Sequence, residues 1–529
     1  MSTTHTPTAA PAPAAPMTHR AVIEALSGLL LAMFVAMLSS TVVSAALPVI
    51  VADLEGSEAG YTWVVVATLL TLTATTPIWG KLADLFSKKL LVQISLVIYV
   101  VGSVIAGLAP SMGILIGARA LQGIGVGGLS ALVQIVIATM VSPRERGRYF
   151  GYLGAVFAMA TVSGPLIGGL IVDTPWLGWR WCFYVGIPFA IAAFVVLQKT
   201  LHLPVVKRHV SIDYAGALLI TAGVSILLIW VSLAGTQFEW ASVTTAWMVS
   251  LGVLLLAGFV FAESRVKEPI IPLGLFRDRT ISLATFASVM VGVAMFGSTV
   301  FLVQYFQISR GMSPTRAGLM SLAMVLGLLL SSIITGRMIA ATGKWKRYLV
   351  GGAILMLTGI ALLSTIDPDI GLVTVGAYMA VLGVGMGAVN QNLVLAVQNN
   401  AAQSDIGAAS SLAAFFRTMG GSIGVSALGT ALSHRVGSGV ADGLTRLGIA
   451  APSEDRGTTI PDMSLLPPPV REVFEAAFAD GTGHIFLLAT PFAALALIAI
   501  LFIHEVPLRT TIEREDELAP AADAEPVHR

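Results

Sequence analysis

The side chains most able to do chemistry in this sequence are the few charges that interrupt its long apolar runs. One stretch, GKLADLFSKK at 80–89, places Lys81, Asp84 and Lys88 between two such runs. Asp84 can reach a helix N-terminus or a neighbouring arginine. Arg119 lies inside a run, among glycines that permit close helix contact. Charges at membrane depth are costly and usually functional, so we expect proton-linked switching from Arg119. The 80–89 turn lies at the cytoplasmic surface, where its charges could form a latch that closes that side in one state and takes part in proton coupling. A basic loop that only follows the positive-inside rule would also explain 80–89, and pairing with backbone carbonyls would explain Arg119.

Acidic groups are scarce where a proton-driven carrier would need one. No Asp, Glu or His falls near the centre of any apolar run. Glu24 lies at the inner end of the first run and Asp53 just beyond its outer end, so both join the candidates for proton coupling. We expect structural roles for Arg417, in the thirteenth run, and for Asp213, where the seventh run begins.

Neutral polar residues predict a cavity. Buried amides without partners cost about 1–3 kcal/mol each, so they must meet each other, water or a ligand. Three consecutive amides in the twelfth run point around most of the helix, which favours a cavity over interhelical hydrogen bonds. Flexible methionines nearby favour an adaptable apolar surface. The predicted cavity residues are Met33, Phe34, Met37, Gln134, Gln304, Tyr305, Asn390, Gln391 and Asn392.

The fifth run contains a motif that predicts a bent helix. SGPLIGG places Pro165 inside the run, where its ring removes one backbone hydrogen bond. Gly164, Gly168 and Gly169 allow a neighbouring helix to touch the backbone. A kinked helix with a glycine face suits an interface that rocks between two states.

The elements that must position these residues are transmembrane helices of an all-α polytopic protein. Of 529 residues, 56% are hydrophobic and only 11% are charged, with a mean hydropathy of +0.86. An apolar helix needs about 20 residues to cross the hydrocarbon core, and by that rule we count fourteen runs. Lys and Arg concentrate in alternate loops, which predicts that both termini are cytoplasmic. The single cysteine, Cys182, excludes an internal disulfide.

The two ends and one long connection lack such runs. We predict disordered cytoplasmic tails at 1–20 and 506–529 and an extracellular loop at 433–483. Within that loop, REVFEAAFAD at 471–480 forms either a short amphipathic helix or part of a partly ordered connector. The sequence carries no metal-ligand cluster, nucleotide-binding loop or catalytic-triad pattern, so we expect no enzyme, no cofactor and no nucleic-acid partner.

The basic turn at 80–89 recurs in the second half of the chain. After the tenth run the sequence reads GRMIAATGKWKR, and the spacing from Gly80 to Lys88 is repeated from Gly336 to Lys344. Ala340 stands at the position equivalent to Asp84. Two halves with the same turn indicate a transporter built from repeats, with its substrate site between them near the midplane.

Together these motifs resemble those of the major facilitator superfamily, in particular its fourteen-span drug:proton antiporters, the EmrB/QacA-like multidrug exporters. The resemblance covers nearly the whole chain. It is carried by GKLAD at 80–84, RALQG at 119–123, GPLIGG at 164–169, DYAG at 213–216, PLGLFR at 272–277 and RTMGG at 417–421. It implies the major facilitator fold, with six-helix bundles at 21–200 and 266–505, two inserted helices at 201–265, and spans 1, 4, 9 and 12 around the cavity.

The chain departs from the family pattern where the first span commonly carries an acid, because Ser39 stands there. Leu85 and Ser87 replace the usual Arg and Gly of the basic turn. Proton coupling would therefore pass to Asp84, Asp53 or Glu24, or be weak.

The resemblance implies a secondary active exporter of small amphipathic drugs or antibiotics, driven by proton antiport. It would work by alternating access as a monomer in the lipid bilayer of a bacterial inner membrane. One alternative is a dedicated exporter or importer of a single metabolite with the same fold. Another is a membrane-embedded sensor that no longer transports. The lack of a central acid argues against a specialist for dications.

Overall fold

The computed structural model describes residues 19–55, 58–174, 176–201, 203, 213–235, 238–266, 268–449 and 466–508. In these residues the protein is all-helical, and thirteen helical segments are long and apolar enough to cross a membrane. The α-helices are α1 (His19–Asp53), α2 (Glu58–Leu85), α3 (Lys88–Gly107), α4 (Met112–Met140), α5 (Pro143–Asp173), α6 (Trp181–Tyr184), α7 (Gly186–Thr200), α8 (Tyr214–Leu233), α9 (Val243–Glu263), α10 (Arg279–Ile308), α11 (Pro314–Met320), α12 (Leu322–Thr342), α13 (Lys346–Leu363), α14 (Leu372–Asn400), α15 (Ile406–Arg446) and α16 (Pro468–Phe502). Short 3-10 helices at Leu273–Arg277 and Gln403–Asp405 precede α10 and α15.

The helices pack in two sets that repeat one pattern. In the first set α1 packs against α5, and α4 packs against both α2 and α3. In the second set α10 packs against α15, and α14 packs against both α12 and α13. The sets meet where α2 contacts α15 and where α5 contacts α12. The repeat predicted from the basic turns is therefore visible in the packing.

The inserted helices α8 and α9 pack against each other outside this pattern. α8 also contacts α2 of the first set and α15 of the second. The pair thus lies across one of the two junctions between the sets.

The prediction of an extracellular loop at 433–483 is wrong in its bounds. α15 continues to Arg446 and α16 already begins at Pro468, while residues 450–465 lie outside the described part of the chain. REVFEAAFAD is helical, but it forms the early turns of α16 instead of a separate helix. Buried residues at every fourth position hold the extension of α15 against α16: Leu432, Val436, Val440 and Leu444.

The predicted tail boundaries also shift. Residues 1–18 and 509–529 lie outside the described part, but Arg20 already belongs to α1. Beyond α16, the carbonyl oxygen of Val506 accepts a hydrogen bond from Trp345 Nε1 at 3.0 Å. Because a buried indole N–H needs an acceptor, this first part of the predicted C-terminal tail is held against the bundle.

Candidate gate and translocation pathway

Asp84 joins the two sets of helices at one end of the bundle, where α2, α4, α12 and α14 finish; we call this the basic end. Asp84 Oδ1 accepts a hydrogen bond from the backbone N–H of Gly407 at 2.8 Å, and Oδ2 accepts one from Ala408 at 2.9 Å. Both donors lie in the first turn of α15, where backbone N–H groups lack intrahelical acceptors and favour a negative charge. We call this contact the Asp84 clamp. Of the partners that Asp84 could reach, a helix N-terminus is the one it binds.

Glycines allow the two helices of the clamp to approach closely. A Cβ atom at Gly80 would stand 2.0 Å from the Oγ atom of Ser411. A Cβ atom at Gly407 would stand 2.4 Å from the Gly80 carbonyl oxygen. Neither position has room for a side chain, so glycine is required here by the contact between α2 and α15.

The junction between α5 and α12 also closes the basic end. Here the side chain is a cation that donates to backbone carbonyl groups, whereas Asp84 is an anion that accepts from backbone N–H groups. Arg144 donates from Nε to the Ala340 carbonyl and from Nη2 to the Ala341 carbonyl, each at 3.1 Å. A Cβ atom at Gly336 would stand 2.0 Å from the Gly147 carbonyl oxygen. One junction thus places an anion at a helix N-terminus, and the other places a cation at a helix C-terminus, as the helix dipoles favour.

Two of the predicted coupling residues lie beside the clamp. Lys81 is buried, and its Nζ lies 2.8 Å from Glu268 Oε2 on the segment that follows α9. Lys88 begins α3 and is close enough to Asp84 for a coulombic interaction. The structure therefore brings Lys81, Asp84 and Lys88 together at the basic end.

Two further predicted coupling residues, Glu24 and Asp53, are not part of this cluster. Glu24 pairs with Arg20, one turn earlier on the exposed surface of α1. Asp53, at the C-terminal end of α1, accepts a hydrogen bond from Trp179 Nε1 at 2.8 Å. Asp53 therefore lies at the end of α1 away from Glu24 and joins α1 to the segment before α6.

Arg119 is buried in the first set of helices and bonds to neutral groups. Its Nη1 donates to Gln122 Oε1 at 2.6 Å, and Gln122 Nε2 donates to Ser103 Oγ at 2.7 Å. The Tyr99 hydroxyl lies close to the hydroxyl groups of both Ser103 and Ser39. A neutral network of hydroxyls and an amide therefore connects Arg119 to the position where the family commonly carries an acid.

Arg417 lies about a quarter of the way along α15. It is partly exposed and has no hydrogen bond or ion pair with any residue that the structure describes. Its backbone is tightly packed, since its carbonyl oxygen lies 2.0 Å from where a Cβ atom at Gly292 would stand. The contact fixes the helix backbone, and the guanidinium has no bonded partner among the described residues. The predicted structural role of Arg417 therefore stays a prediction.

Several predicted cavity residues carry unsatisfied acceptors. Gln134 Oε1 on α4, and Asn390 Oδ1 and Gln391 Oε1 on α14, are buried without a hydrogen-bond partner in the described part of the chain. Asn392 instead donates to the Ala388 carbonyl of its own helix at 2.6 Å. Amide oxygens on both sets of helices are therefore left to accept hydrogen bonds from water or from a ligand.

The remaining cavity candidates lie on α1 and α10. Met33 is buried, and Met37 and Gln304 are partly exposed. Phe34 packs edge-on against a ring of α7, with centroids 5.9 Å apart. Tyr305 is fully buried near the C-terminal end of α10. Its hydroxyl accepts a hydrogen bond from Arg310 Nε.

The predicted kink motif lies where α1 packs against α5. α5 is continuous over Pro143–Asp173, through position 165. A Cβ atom at Gly164 would stand 2.0 Å from Thr41 Oγ1, so this glycine permits the contact with α1. Gly168 is buried, whereas a Cβ atom at Gly169 would meet no atom within 4 Å.

Comparison with known proteins agrees with this architecture. A sequence model of the Major Facilitator Superfamily matches residues 29–425. The chain belongs to this family. The fold is similar to that of the proton:xylose symporter XylE bound to 6-bromo-6-deoxy-D-glucose, with a TM-score of 0.60, 13% identity, and coverage of 92% of this chain and 97% of that one.

Curated relatives in the family carry transport names. The multidrug transporter protein MdtP of Bacillus subtilis is 31% identical over 530 residues, covering 95% of this chain and 97% of MdtP. The efflux pump dotC of Dothistroma septosporum is 34% identical over 497 residues, covering 92% of this chain and 84% of dotC. The protein is therefore a multi-pass major facilitator transporter, and the predicted family and fold class are confirmed.

Sequence reasoning missed acids that the fold of this transporter uses at the basic end. Glu505 Oε1 accepts hydrogen bonds from the backbone N–H groups of Trp345 at 2.9 Å and Lys346 at 3.0 Å, and so caps α13. Glu268 pairs with Lys81, as described above. In the sequence, each of these residues is visible only as an acid beside an apolar run. An ordinary charged loop shows the same pattern, so the sequence does not reveal their contacts.

Proposed function

We propose that this transporter exports small amphipathic compounds by alternating access, with protons moving in the opposite direction. The observation that carries the proposal is the Asp84 clamp. It joins α2 of one set to the N-terminus of α15 of the other. Such a bond forms only while the sets are close at the basic end, so it favours one of two states of a rocking bundle.

The charge distribution and the name of a relative support the proposed direction of transport. The positive-inside rule assigns the basic end to the cytoplasm, with both termini on that side. Substrate would enter from the cytoplasm or inner leaflet when the clamp opens, and leave on the outside after it closes. The name of the efflux pump dotC supports export. A bacterial inner membrane is the setting we propose, with the protein acting as a monomer.

The side chains of the predicted cavity indicate which class of substrate it would bind. The unsatisfied oxygens of Gln134, Asn390 and Gln391 accept hydrogen bonds, and Arg417 offers a positive charge without a bonded acid. Met33, Met37 and Phe34 offer flexible apolar surface. These groups suit neutral or weakly acidic amphipathic compounds that carry N–H or O–H donors, and they are poorly suited to dications.

Proton coupling would pass through Asp84, because Ser39 cannot carry a proton to and from the pathway. Protonation of Asp84 removes the negative charge that the N-terminus of α15 favours and weakens the clamp. In antiport, Asp84 would receive a proton through the pathway from the outside while the basic end is closed, and this would open the clamp. It would then release the proton to the cytoplasm, so that the charged carboxylate closes the clamp again after substrate has bound.

Proteoliposomes with a pH-sensitive dye in the lumen test this function. We would impose gradients of a weakly acidic fluorescent dye and, separately, of a neutral antibiotic, and compare wild type with Asp84→Asn and with Asp405→Asn as the matched control. Substrate-dependent proton movement that is lost in Asp84→Asn but kept in Asp405→Asn supports the proposal.

Other outcomes assign a different function. Transport of a single compound without competition by unrelated dyes indicates a dedicated carrier. Transport without proton movement indicates facilitated diffusion or coupling to another ion. Binding without counterflow indicates a sensor. Each of these results contradicts the proposed antiport of diverse compounds.

A further inference from the structure

The segment between α9 and α10 crosses from one set of helices to the other. This segment, residues 264–278, follows the inserted pair and leads into the first helix of the second set; we call it the linker. Its Glu268 pairs with Lys81 of α2, which belongs to the first set, and Lys81 Nζ lies 2.8 Å from Glu268 Oε2. One ion pair thus joins the first set to the part of the chain that enters the second.

The end of the linker is fixed to the second set. Phe276 packs edge-on against Phe416 of α15, with ring centroids 6.4 Å apart. The carbonyl oxygen of Phe276 also accepts a hydrogen bond from Ser282 Oγ of α10 at 2.7 Å. Asp278 then caps α10, with Oδ1 accepting the Ile281 N–H at 2.9 Å. We therefore expect this end of the linker to move with α10 and α15.

The start of the linker is folded against the end of α9. Glu263, the last residue of α9, accepts a hydrogen bond at Oε1 from the Ile270 N–H at 3.0 Å. Ile270 and Ile271 are buried, and a 3-10 helix follows at Leu273–Arg277. These contacts leave little free chain between Glu268 and the second set, so the linker cannot lengthen much without losing them.

Lys81 bonds to Glu268 although other acids are near. The Lys81 side chain is 9% exposed and that of Glu268 is 40% exposed. Asp213 lines the same pocket, and Glu263 is close enough for a coulombic interaction, but each of these acids bonds to a backbone N–H group. A buried ammonium group is costly without a bonded partner, so the ion pair favours the state in which α2 lies against the linker.

We infer that the Lys81–Glu268 ion pair is a second latch of the basic end, which acts in parallel with the Asp84 clamp. The clamp binds α2 to the start of α15, whereas the latch binds α2 to the linker before α10. A rocking motion that separates α2 from α15 also carries the end of the linker away from α2, so the ion pair must break. The segment that joins the inserted helices to the second set thereby takes part in gating.

Only the importance of the latch for transport rests on the proposed function. The closed state that the latch stabilises can be measured without substrate, by double electron–electron resonance on the full-length protein in nanodiscs. Spin labels at Phe86→Cys, at the end of α2, and Gln403→Cys, just before α15, would report the ratio of closed to open basic ends.

A double-mutant cycle tests the ion pair. Lys81→Met keeps the apolar stem and removes the charge, and Glu268→Gln keeps the shape of the acid. Each variant should lower the ratio of closed to open basic ends about fivefold, which is the upper end for partly exposed ion pairs. The double variant should lower it no further than either single variant, because the same pair is lost. Reductions that multiply in the double variant would overturn the inference, since the two residues would then act separately.

Asp480→Asn is the matched control. It removes an ion pair of the same length, 2.8 Å, between Asp480 and Arg435, which lie on α16 and α15 of the same set. It should leave the ratio of closed to open basic ends unchanged. A reduction as large as that in Glu268→Gln would overturn the inference, because any lost ion pair would then have the same effect.

The Asp84→Asn background separates the latch from the clamp. If the latch acts in parallel, Lys81→Met should lower the ratio of closed to open basic ends by the same factor in this background as in wild type. If Lys81 only positions Asp84, the change should have no further effect there, and this result would overturn the second latch. Absence of proton-coupled transport with the expected changes in the ratio would refute the proposed function and leave the latch in place.

Discussion

Replacing Asp84 with Asn should open the basic end. Asp84 makes two hydrogen bonds to the N–H groups of Gly407 and Ala408, at 2.8 and 2.9 Å. A hydrogen bond to a charged group contributes about 1.5–3 kcal/mol. Asn keeps the shape and one acceptor oxygen but loses the charge and the second bond, so we expect the clamp to weaken by about 2 kcal/mol. The ratio of closed to open basic ends should then fall about 30-fold, since 1.4 kcal/mol corresponds to a factor of ten.

Double electron–electron resonance measures that ratio directly. Spin labels at Phe86→Cys, at the end of α2, and Gln403→Cys, just before α15, would report how far the two helices separate. Asp405→Asn removes the same charge immediately before the same helix, yet the Asp405 side chain caps no N–H group. Asp405 also lies close enough to Asp84 to repel its charge, so this variant should not open the basic end. Equal distributions for wild type and Asp84→Asn, or an equal change in Asp405→Asn, would refute the reasoning.

Three further predictions concern other contacts of the bundle. Gly336→Ala should also open the basic end, because its Cβ atom would meet the Gly147 carbonyl oxygen at 2.0 Å. The control Gly351→Ala should not change the distance distribution, because a Cβ atom at Gly351 would meet no atom within 4 Å. Glu505→Gln should lower the free energy of unfolding by about 1 kcal/mol, because α13 loses a charged cap. Thermal unfolding measures this change, and a Glu→Gln change at an exposed position of α16 should have no effect on it. Arg417→Gln should reduce binding of weakly acidic substrates more than of neutral ones, measured by calorimetry; an equal loss for both classes would contradict a role for its charge.

The family, the helical class and the approximate number of spans could all be predicted from the sequence. Each of these depends on local properties, since about 20 consecutive apolar residues suffice to mark a span and a short motif marks a repeat. The basic turn at 80–89 also pointed to a partner of the right kind for Asp84, a helix N-terminus. The sequence did not indicate which helix, because Gly407 is 323 positions further along the chain.

The bounds of the last two helices show a second limit of local patterns. Hydropathy ends the thirteenth run at 432, where glycine, serine and charged residues become frequent. The helix nevertheless continues to Arg446 because its buried stripe packs against α16, and such a contact stabilises helix well beyond the apolar run.

What the sequence by itself determined is therefore the set of membrane helices, their repeat and the few charged residues among them. Only the tertiary structure decided which charges meet which partners: Asp84 with the start of α15, Lys81 with Glu268, and Arg144 with the end of α12. The physical reason is that a span is selected by the transfer of its own side chains into lipid, whereas a buried charge is selected by whichever partner the packing of distant helices brings within hydrogen-bonding distance.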